Sequence, residues 1–371
     1  AIGAPYNDGN GQDAGHVRIY EWNGSNWIQR GQDIDGEASI DNSGHSVSLS
    51  GDGQRLAVGG PSGQGHVRVY KWDGTSSWNI DYSYRLPPNN NQDHFGHSVC
   101  LSNNGNTLVV GGRHVGSCQQ GVMTVFESLP TGGYQNVYSS YGACSDLNGQ
   151  CVTISGDGNT VASCAEQGNY TRVFRRDTSS ILGWTQLGQD LLGWNTAVSL
   201  SDDGNIVAVS NVSTYSRVGV YKWNGTSWAQ LGQDIDGEAS GDYSGRSVSL
   251  SADGTIVAIG APFNSGNSYR SGHVRVYQLF NSYNNINISN KLSVNNSLNY
   301  QGNPLLYLNI NEINEDTTIQ AQSSGIYNNT SNSDLILTLS SDNSKTYTLT
   351  IGTSKIIYTN SSNMFIFNIN G

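Results

Sequence analysis

The sequence predicts an all-β protein built from repeated antiparallel sheets, and three observations support this prediction. A unit of about 50 residues recurs along residues 1–280. Its clearest copy, residues 243–280, contains an alternating segment (SVSLS), an Asp-Gly turn, a second apolar segment (TIVAIGAP) and a third (HVRVYQ). In SVSLS the apolar residues and the serines alternate, as the two faces of a β-strand require. Finally, charged residues make up only 13% of the chain, whereas Gly, Ser and Asn are abundant, which is typical of turn-rich β-proteins.

The first two strands of each unit are the easiest to place. A valine marks the first strand in five units, at Val47, Val99, Val152, Val198 and Val248. An Asp-Gly or Asn-Gly pair follows each valine and supplies the positive φ values that two-residue hairpin turns require. These pairs are residues 52–53, 104–105, 157–158, 203–204 and 253–254.

The third and fourth strands complete the unit. The third strand recurs in forms such as HVRVY, and a second Asn-Gly or Asp-Gly turn joins it to a fourth strand such as WAQLGQDI. Four antiparallel strands in a repeat of this length are typical of one blade of a β-propeller. The sequence therefore predicts a six- to seven-bladed β-propeller over residues 1–280.

The two ends of the predicted propeller are incomplete. The first blade begins in its second strand, and the sixth blade, residues 242–280, lacks a fourth strand. An open ring would expose two strand edges, which natural proteins usually protect. Three explanations remain open: residues that precede Ala1 in the intact protein, a closing strand at Tyr283–Ser289, or a strand added by a neighbouring subunit.

A change in composition near residue 281 marks a second region. We interpret residues 281–299 as a linker or a ring-closing strand. Residues 300–371 contain alternating segments such as DLILTLS and TYTLTIG separated by short polar loops. They predict a small β-sandwich, which we interpret as immunoglobulin-like.

The repeated motifs resemble a known family. SVSLS followed by AIGAP and GHVRVY is similar to the FG-GAP repeat of integrin α propellers and of many bacterial, algal and viral surface proteins. The matching positions are Phe95-Gly96, Gly3-Ala4-Pro5, Gly260-Ala261-Pro262 and, more weakly, Gly59-Gly60-Pro61. The resemblance covers roughly residues 1–280 and implies a propeller on a surface protein. Integrin-type blades often carry a calcium loop between their first two strands, but a tight Asp-Gly turn stands here instead.

The charge and hydropathy of the chain limit its partners. The formal net charge is −11, which disfavours sequence-independent attraction to nucleic acid or anionic membranes. No apolar run is long enough to span a bilayer as a helix. We expect an extracellular protein, secreted or displayed on a cell or virion surface. Its expected partners are proteins or glycans on a surface, or further copies added strand to strand.

Five cysteines are clustered in the third and fourth blades. Cys151 and Cys164 fall opposite each other on one hairpin, so a disulfide between them is predicted. Cys118 and Cys144 lie in loops that neighbour each other and form a second candidate pair, which leaves Cys100 as a buried thiol. The alternative is that these cysteines are small buried thiols. No C-x-x-C pair is present, which disfavours a zinc site.

Two kinds of modification or ligand site are suggested by local motifs. N-x-S/T sequons, which are glycosylation acceptors in secreted proteins, occur at Asn23, Asn169, Asn211, Asn224, Asn287, Asn295, Asn328, Asn329 and Asn360. The acidic loop GQDIDGEAS occurs twice and supplies six carboxylates that could surround calcium: Asp33, Asp35, Glu37, Asp234, Asp236 and Glu238. The alternative is that they are solvated carboxylates. Calcium is the one cofactor that the sequence leaves open.

Repetition also separates structural residues from functional candidates. Residues that recur in every blade, such as His16, His66 and His273 or the pair His45 and His97, are expected to hydrogen-bond strands and loops. Arg246 fills the His45 position in the sixth blade. Residues outside the repeat are better candidates for a site: His94, Arg113, His114, Arg175, Arg176 and Tyr215. An enzyme would need histidines or carboxylates that converge asymmetrically at the central channel.

No G-x-S-x-G, H-E-x-x-H, Walker or dinucleotide motif is present, so we expect no enzyme. The predicted function is a non-catalytic adhesion or structural protein of a surface, and one form of this class is the repeating subunit of a filament. The alternative is a glycan-binding, lectin-like propeller, and a polysaccharide-active enzyme is less favoured. Trp22, Trp72 and Trp223 at the hairpins either stack on sugars or pack against Trp27, Trp78 and Trp228.

Overall fold

A computed structural model describes residues 1–279 except for short gaps at 63–64, 86–93, 117, 178, 180–182, 194–195 and 212–215. Beyond residue 279 it describes only short strands between residues 291 and 368. The chain divides into two compact units, Ala1–Asn281 and Ser282–Gly371. Every regular element in the described residues is a β-strand, as the sequence predicts. No helix among the described residues is long and apolar enough to cross a membrane.

The first unit contains six antiparallel sheets in chain order, which we call blades 1 to 6. Blade 1 has a three-stranded sheet of order β1-β2-β5 and an outer hairpin, β3-β4. Its strands are Ile2–Ala4 (β1), His16–Arg18 (β2), Tyr20–Trp22 (β3), Trp27–Gln29 (β4) and Ile34–Asp35 (β5). It begins with what is the second strand of the other blades, as the sequence predicts.

Blades 2 and 3 are four-stranded meanders. Blade 2 contains Ser46–Leu49 (β6), Arg55–Gly60 (β7), His66–Trp72 (β8) and Trp78–Arg85 (β9). Blade 3 contains Phe95–Leu101 (β10), Thr107–Gly112 (β11), Val122–Ser128 (β12) and Tyr134–Tyr141 (β13).

Blades 4 and 5 add a short fifth strand that pairs with the third strand. Blade 4 contains Asn148–Ile154 (β14), Thr160–Ala165 (β15), Tyr170–Arg176 (β16), Trp184–Gln186 (β17) and Leu191–Leu192 (β18). Blade 5 contains Val198–Leu200 (β19), Ile206–Asn211 (β20), Arg217–Trp223 (β21), Trp228–Gln230 (β22) and Ile235–Asp236 (β23).

Blade 6 has three strands, Ser247–Leu250 (β24), Ile256–Ala261 (β25) and His273–Gln278 (β26). Among the described strands, β26 pairs only with β25, so its outer edge has no partner there. Val274 and Val276 on β26 are 68% and 67% exposed, although the equivalent Val67 and Val69 of blade 2 are fully buried. The predicted closing strand at Tyr283–Ser289 lies outside the described residues.

The core of the first unit lies between blades. Each hydrophobic cluster combines apolar side chains from two successive blades. Between blades 2 and 3, for example, Val67 and Val69 pack with Phe95, Leu108 and Phe126. Burial of these alternating side chains contributes about 25 cal/mol per Å² of apolar surface. Face-to-face packing of blades therefore holds the array together.

The inner strands of the blades converge on a common axis. The hairpin tips after these strands are bonded in sequence, because Gly51 N donates to Asn103 O and Asn103 N donates to Gly156 O. Asn103 of blade 3 also donates its Nδ2 to Asp202 Oδ2 of blade 5 at 2.9 Å. A direct bond between blades 3 and 5 requires that the array curves around an axis, as in a β-propeller.

Both predicted disulfides are present. Cys151 and Cys164 face each other on β14 and β15, and Cys118 joins Cys144 between two loops. Cys100 is the free cysteine of the described residues, and its thiol has a raised pKa because it is buried. Disulfides persist mainly in oxidising compartments, so they indicate a location outside the cytoplasm.

The second unit contains a four-stranded sheet, a three-stranded sheet and one short pair in the strands that are described. Its strands are Lys291–Val294 (β27), Asn299–Tyr300 (β28), Asn303–Pro304 (β29), Leu308–Ile310 (β30), Thr318–Ala321 (β31), Asp334–Leu339 (β32), Thr346–Ile351 (β33), Ser354–Thr359 (β34) and Met364–Asn368 (β35). Parallel pairs β27-β31, β31-β33 and β30-β32 occur beside antiparallel ones. An immunoglobulin sandwich is antiparallel, so these parallel pairs do not support it. The immunoglobulin-like assignment stays a prediction.

Candidate ligand site at the propeller axis

One residue near the start of each inner strand varies in type between blades. In four blades this residue follows a glycine with positive φ: Gly44 (85°), Gly96 (89°), Gly149 (88°) and Gly245 (88°). A Cβ atom on Gly96 would lie 2.1 Å from the carbonyl oxygen of His66, so no side chain fits there. The sequence thus fixes the backbone and leaves the next position free to vary. That position holds His45, His97, Gln150 and Arg246.

Four histidines from blades 2 and 3 lie in two neighbouring pairs. The ring centroids of His45 and His97 are 4.9 Å apart, and those of His94 and His114 are 4.6 Å apart. A ring nitrogen of His97, Nδ1, lies 3.0 Å from the carbonyl oxygen of Gln150 in blade 4. We name His45, His94, His97, Arg113, His114 and Arg246 the axial cluster.

The environment keeps these imidazoles neutral near pH 7. Burial, followed by the charge of Arg246, lowers the pKa of His45, so these two residues from blades 2 and 6 lie near each other. Burial lowers the pKa of His97 to about 4, with a smaller contribution from His45. Burial is also the first cause of the lowered pKa of His94 and His114. Neutral imidazoles offer both a donor and an acceptor nitrogen to a ligand.

The cations of the cluster differ in their partners. Arg113 Nη2 donates to Glu166 Oε2 at 3.0 Å, while the Nε of Arg113 is buried without a hydrogen bond. Arg246 is exposed, and it is the one arginine of the described residues whose side chain has no ion pair, hydrogen bond or aromatic contact. A free guanidinium beside neutral imidazoles favours an anionic ligand, because guanidinium groups bind carboxylates bidentately.

The structure brings some of the predicted candidates together and separates others. His94, Arg113 and His114 lie in the axial cluster. Arg175 instead bonds Thr160 and Asn205 on the outer part of blades 4 and 5, and Arg176 pairs with Glu127. Tyr215 lies outside the described residues.

Three further members of the cluster were expected to be structural. His45, His97 and Arg246 occupy a repeated position, and His97 does bond a neighbouring strand. The sequence feature that could have identified them as site residues is the variation at that position, which changes from His to Gln to Arg between blades. A residue needed by the fold alone has no reason to change charge from blade to blade.

The predicted calcium ligands are divided among ion pairs. Asp33 pairs with Arg18, and Asp234 pairs with Arg217 at 2.9 Å. Asp35 Oδ1 lies 4.0 Å from His16 Nδ1.

The two glutamates of these loops reach the next blade. Glu37 bonds the buried Arg68, and Glu238 bonds Arg275. Asp236 and Glu238 line an open groove of about 470 Å³. Among the described residues, no three His, Cys, Asp or Glu side chains are placed to hold a metal ion, and calcium binding stays a prediction.

The predicted glycosylation acceptors differ in accessibility. Asn23 and Asn224 are exposed at hairpin tips, where each side-chain oxygen accepts backbone N–H groups of the turn. Asn169 is exposed with a φ of 57°, whereas the side-chain oxygen of Asn211 is buried. The other acceptors lie outside the described residues: Asn287, Asn295, Asn328, Asn329 and Asn360.

Comparison with known proteins identifies the class of fold. Residues 235–277, at the end of blade 5 and in blade 6, match the FG-GAP repeat family. Residues 235–277 thus resemble one FG-GAP repeat, within a chain whose sheets form a β-propeller, as the sequence motifs predicted. No curated protein sequence matches the chain.

Many solved structures are similar to the chain, and two examples follow. A periplasmic gluconolactonase from Pseudomonas aeruginosa has 17% identity and a TM-score of 0.48, over 65% of this chain and 70% of that one. The hydrazine synthase of Kuenenia stuttgartiensis has 16% identity and a TM-score of 0.45, over 63% and 62%. At these identities the likeness concerns the fold alone.

The expectation that the chain is no enzyme is corrected by these findings. The finding that overturns it is that a gluconolactonase, which is an enzyme, is among the solved structures similar to this chain. Histidines also lie together in two neighbouring pairs, and an enzyme would need histidines or carboxylates that converge. Absence of a known motif excluded particular mechanisms, but it did not exclude catalysis.

Proposed function

We propose that this protein acts outside the cytoplasm as a surface-displayed adhesion propeller that binds an acidic glycan at the axial cluster. The observation that carries this proposal is the unpaired, exposed Arg246 beside His45 and His97. Its guanidinium suits the carboxylate of a uronic or sialic acid, and the neutral imidazoles suit hydroxyl groups. The axial cluster has two arginines, and of these only Arg113 is paired with a glutamate, Glu166, so the site is cationic in a chain of net charge −11.

The extracellular assignment is supported by the two disulfides and by the exposed sequons at Asn23 and Asn224. An adhesion role is supported by the rigid inter-blade packing, which presents the axial residues on a fixed frame. Loops on a rigid scaffold are the usual place for binding residues.

The experiment that tests this proposal is a glycan array probed with the full chain. We expect binding of saccharides that carry carboxylates and weak or no binding of their neutral counterparts. Binding should fall as salt concentration rises, because exposed charge pairs are screened within about 8 Å at physiological ionic strength. Preferential binding of neutral glycans, or of none, would contradict the proposal.

General acid–base catalysis on the bound glycan is the second candidate function. The specific observation is the His94–His114 pair, whose pKa values are lowered by burial, so that neutral imidazoles are available as bases. NMR detection of product formation with any glycan that binds would distinguish this candidate from simple adhesion.

A further inference from the structure

Blades 2 to 5 share a contact that joins each of them to the preceding blade. The aromatic residue that opens the fourth strand is buried in all four: Trp78 (3%), Tyr134 (4%), Trp184 (2%) and Trp228 (4%). In blade 1 the equivalent residue is Trp27, which is 67% exposed. Among the described residues, Trp27 is therefore a contact residue that has no receiving surface.

The surface that receives the tryptophan is a loop of the preceding blade, which binds it through backbone and side-chain hydrogen bonds. Trp78 Nε1 donates to Arg30 O at 3.0 Å, and the backbone N of Trp78 donates to Gln32 Oε1 at 3.2 Å. Gln32 Nε2 donates back to Trp78 O at 3.1 Å. Gly31 lies between Arg30 and Gln32 in the sequence. A Cβ atom on Gly31 would lie 2.9 Å from the Trp78 ring, so only glycine lets the indole approach this closely.

The same arrangement is repeated in blades 4 and 5. Trp228 Nε1 donates to Leu187 O at 2.7 Å, and its backbone exchanges two hydrogen bonds with Gln189 at 3.1 and 2.8 Å. A Cβ on Gly188 would lie 3.1 Å from the Trp228 ring. Two occupied examples in one chain thus define how a tryptophan binds this loop.

A third copy of the loop is unoccupied in the described residues. It is Leu231-Gly232-Gln233 in blade 5. Gly232 has a φ of 69°, close to 81° for Gly31 and 74° for Gly188, so the loop has the receptive conformation. No described atom lies within 4 Å of a Cβ placed on Gly232, and Gln233 has no hydrogen-bond partner in the described residues.

The exposed Trp27 already has the arrangement of the bound tryptophans of the other blades. Its ring centroid lies 5.6 Å from that of Trp22, compared with 5.3 and 5.5 Å in the occupied pairs of blades 2 and 5. The turn between Trp22 and Trp27 is held by Asn23, as Asp73 and Asn224 hold the equivalent turns. Little rearrangement is needed, which lowers the entropy cost of binding.

Two free strand edges accompany this pair of surfaces. Among the described strands, β4, which contains Trp27, pairs only with β3, and β26, next to the loop of blade 5, pairs only with β25. In the occupied examples the tryptophan strand pairs with the third strand of its own blade, and β4 already pairs with β3 in the same way. The other edge of β4 and the outer edge of β26 are therefore both open to strand addition.

We propose that a second copy of this chain inserts Trp27 into the Leu231-Gly232-Gln233 loop, so that copies join head to tail. The two surfaces are different and lie on the same chain, so the contact is heterologous and each copy can donate and receive. Such a contact builds a linear assembly rather than a closed dimer unless its rotation closes a ring. This assembly does not depend on the axial cluster.

Sedimentation velocity of the full chain over a wide concentration series tests this proposal. We expect the wild type to form growing oligomers, and Trp27→Ser or Gln233→Ala to weaken association at least ~10-fold, as for a buried tryptophan at an interface centre. Tyr269→Ser, which removes another exposed aromatic residue (82%), is the matched control and should associate like the wild type. Circular dichroism checks that each variant is folded.

Mixing variants gives the sharper result. Trp27→Ser retains the receiving loop, and Gly232→Val retains the tryptophan, so their mixture should stop at a heterodimer while each alone stays monomeric. If Gly232→Val does not fold, Gln233→Ala replaces it. A monomeric wild type, oligomers that survive Trp27→Ser, or a Trp27 that binds sugars without any association would each overturn the proposal.

Discussion

At the scale of single residues, charge and burial are set by the neighbouring blades. His66 shows this most clearly, because it is 1% exposed and its Nε2 lies 2.8 Å from Nη1 of the equally buried Arg68. Burial, and then the charges of Arg68 and Arg85, lower the pKa of His66 to about 3. The imidazole is therefore neutral in the folded protein, and it accepts a hydrogen bond from the guanidinium.

This environment predicts acid-sensitive stability. The unfolded chain protonates His66 near pH 6.5, but the folded chain does not, so the free energy of unfolding should fall as pH decreases from about 6.5 toward 3. Urea unfolding at pH 7.5, 6.5 and 5.5 measures the slope. His66→Gln should be less stable at pH 7.5 by about 1–3 kcal/mol but should have a flatter slope. His273→Gln, at the equivalent and more exposed position of blade 6, is the control, and an identical slope in all three proteins would contradict this account.

At the scale of the structural element, each blade is stabilised by its fourth-strand aromatic residue and by cross-strand links. Trp228 and Trp27 lie in similar sequences, WNGTSWAQLGQDIDGEAS and WNGSNWIQRGQDIDGEAS, but Trp228 is 4% exposed and Trp27 is 67% exposed. Their difference arises from the presence of a preceding blade and not from local sequence. The sequence pattern alone therefore identifies the strand but does not predict whether its tryptophan is buried.

Alanine substitutions separate these two positions. Trp228→Ala should lower the free energy of unfolding by about 3–5 kcal/mol, because it removes a buried indole and leaves Gln189 without its partner. Trp27→Ala should change it by less than about 0.5 kcal/mol in the monomer. Urea denaturation at a concentration where the chain is monomeric compares them, and equal losses would show that Trp27 is buried as well.

The Cys151–Cys164 disulfide is the second element-scale link. It closes a short loop across β14 and β15, with a sequence separation of 13. Replacing both cysteines with alanine should lower the free energy of unfolding by about 2–4 kcal/mol. Cys100→Ala, which breaks no disulfide and lies between blades 3 and 4, is the comparison. A loss no larger than that of Cys100→Ala would show that the link does not stabilise the fold.

At the scale of the whole molecule, the repeat made the propeller predictable. The alternation of apolar and polar residues, the Asp-Gly turns and the period of about 50 residues are all visible in the sequence. They predict the blades without any information on which blades contact each other. The cysteine pairs were predictable for the same reason, since Cys151 and Cys164 flank one turn. The parallel strand pairs of the second unit were not, because alternation does not specify strand direction.

The axial cluster was only partly predictable. His94, Arg113 and His114 were identified because they depart from the repeat, but His45, His97 and Arg246 were assigned to structural roles because they share a repeated position. Their proximity depends on the curvature of the array, which brings residues about 200 positions apart to one axis. The predicted calcium ligands failed to converge for a related reason, since arginines of the same or the next blade bind their carboxylates.

The central claim is that the axial cluster binds a carboxylate-bearing glycan through Arg246. Isothermal titration calorimetry tests it with one acidic oligosaccharide from the array and the same oligosaccharide with its carboxylate reduced to an alcohol. We expect the reduced ligand and the Arg246→Ala variant each to lose at least ~10-fold in affinity, and Arg270→Ala, an exposed arginine of the same blade, to lose none. Equal affinity of wild type and Arg246→Ala for the acidic ligand would contradict the claim.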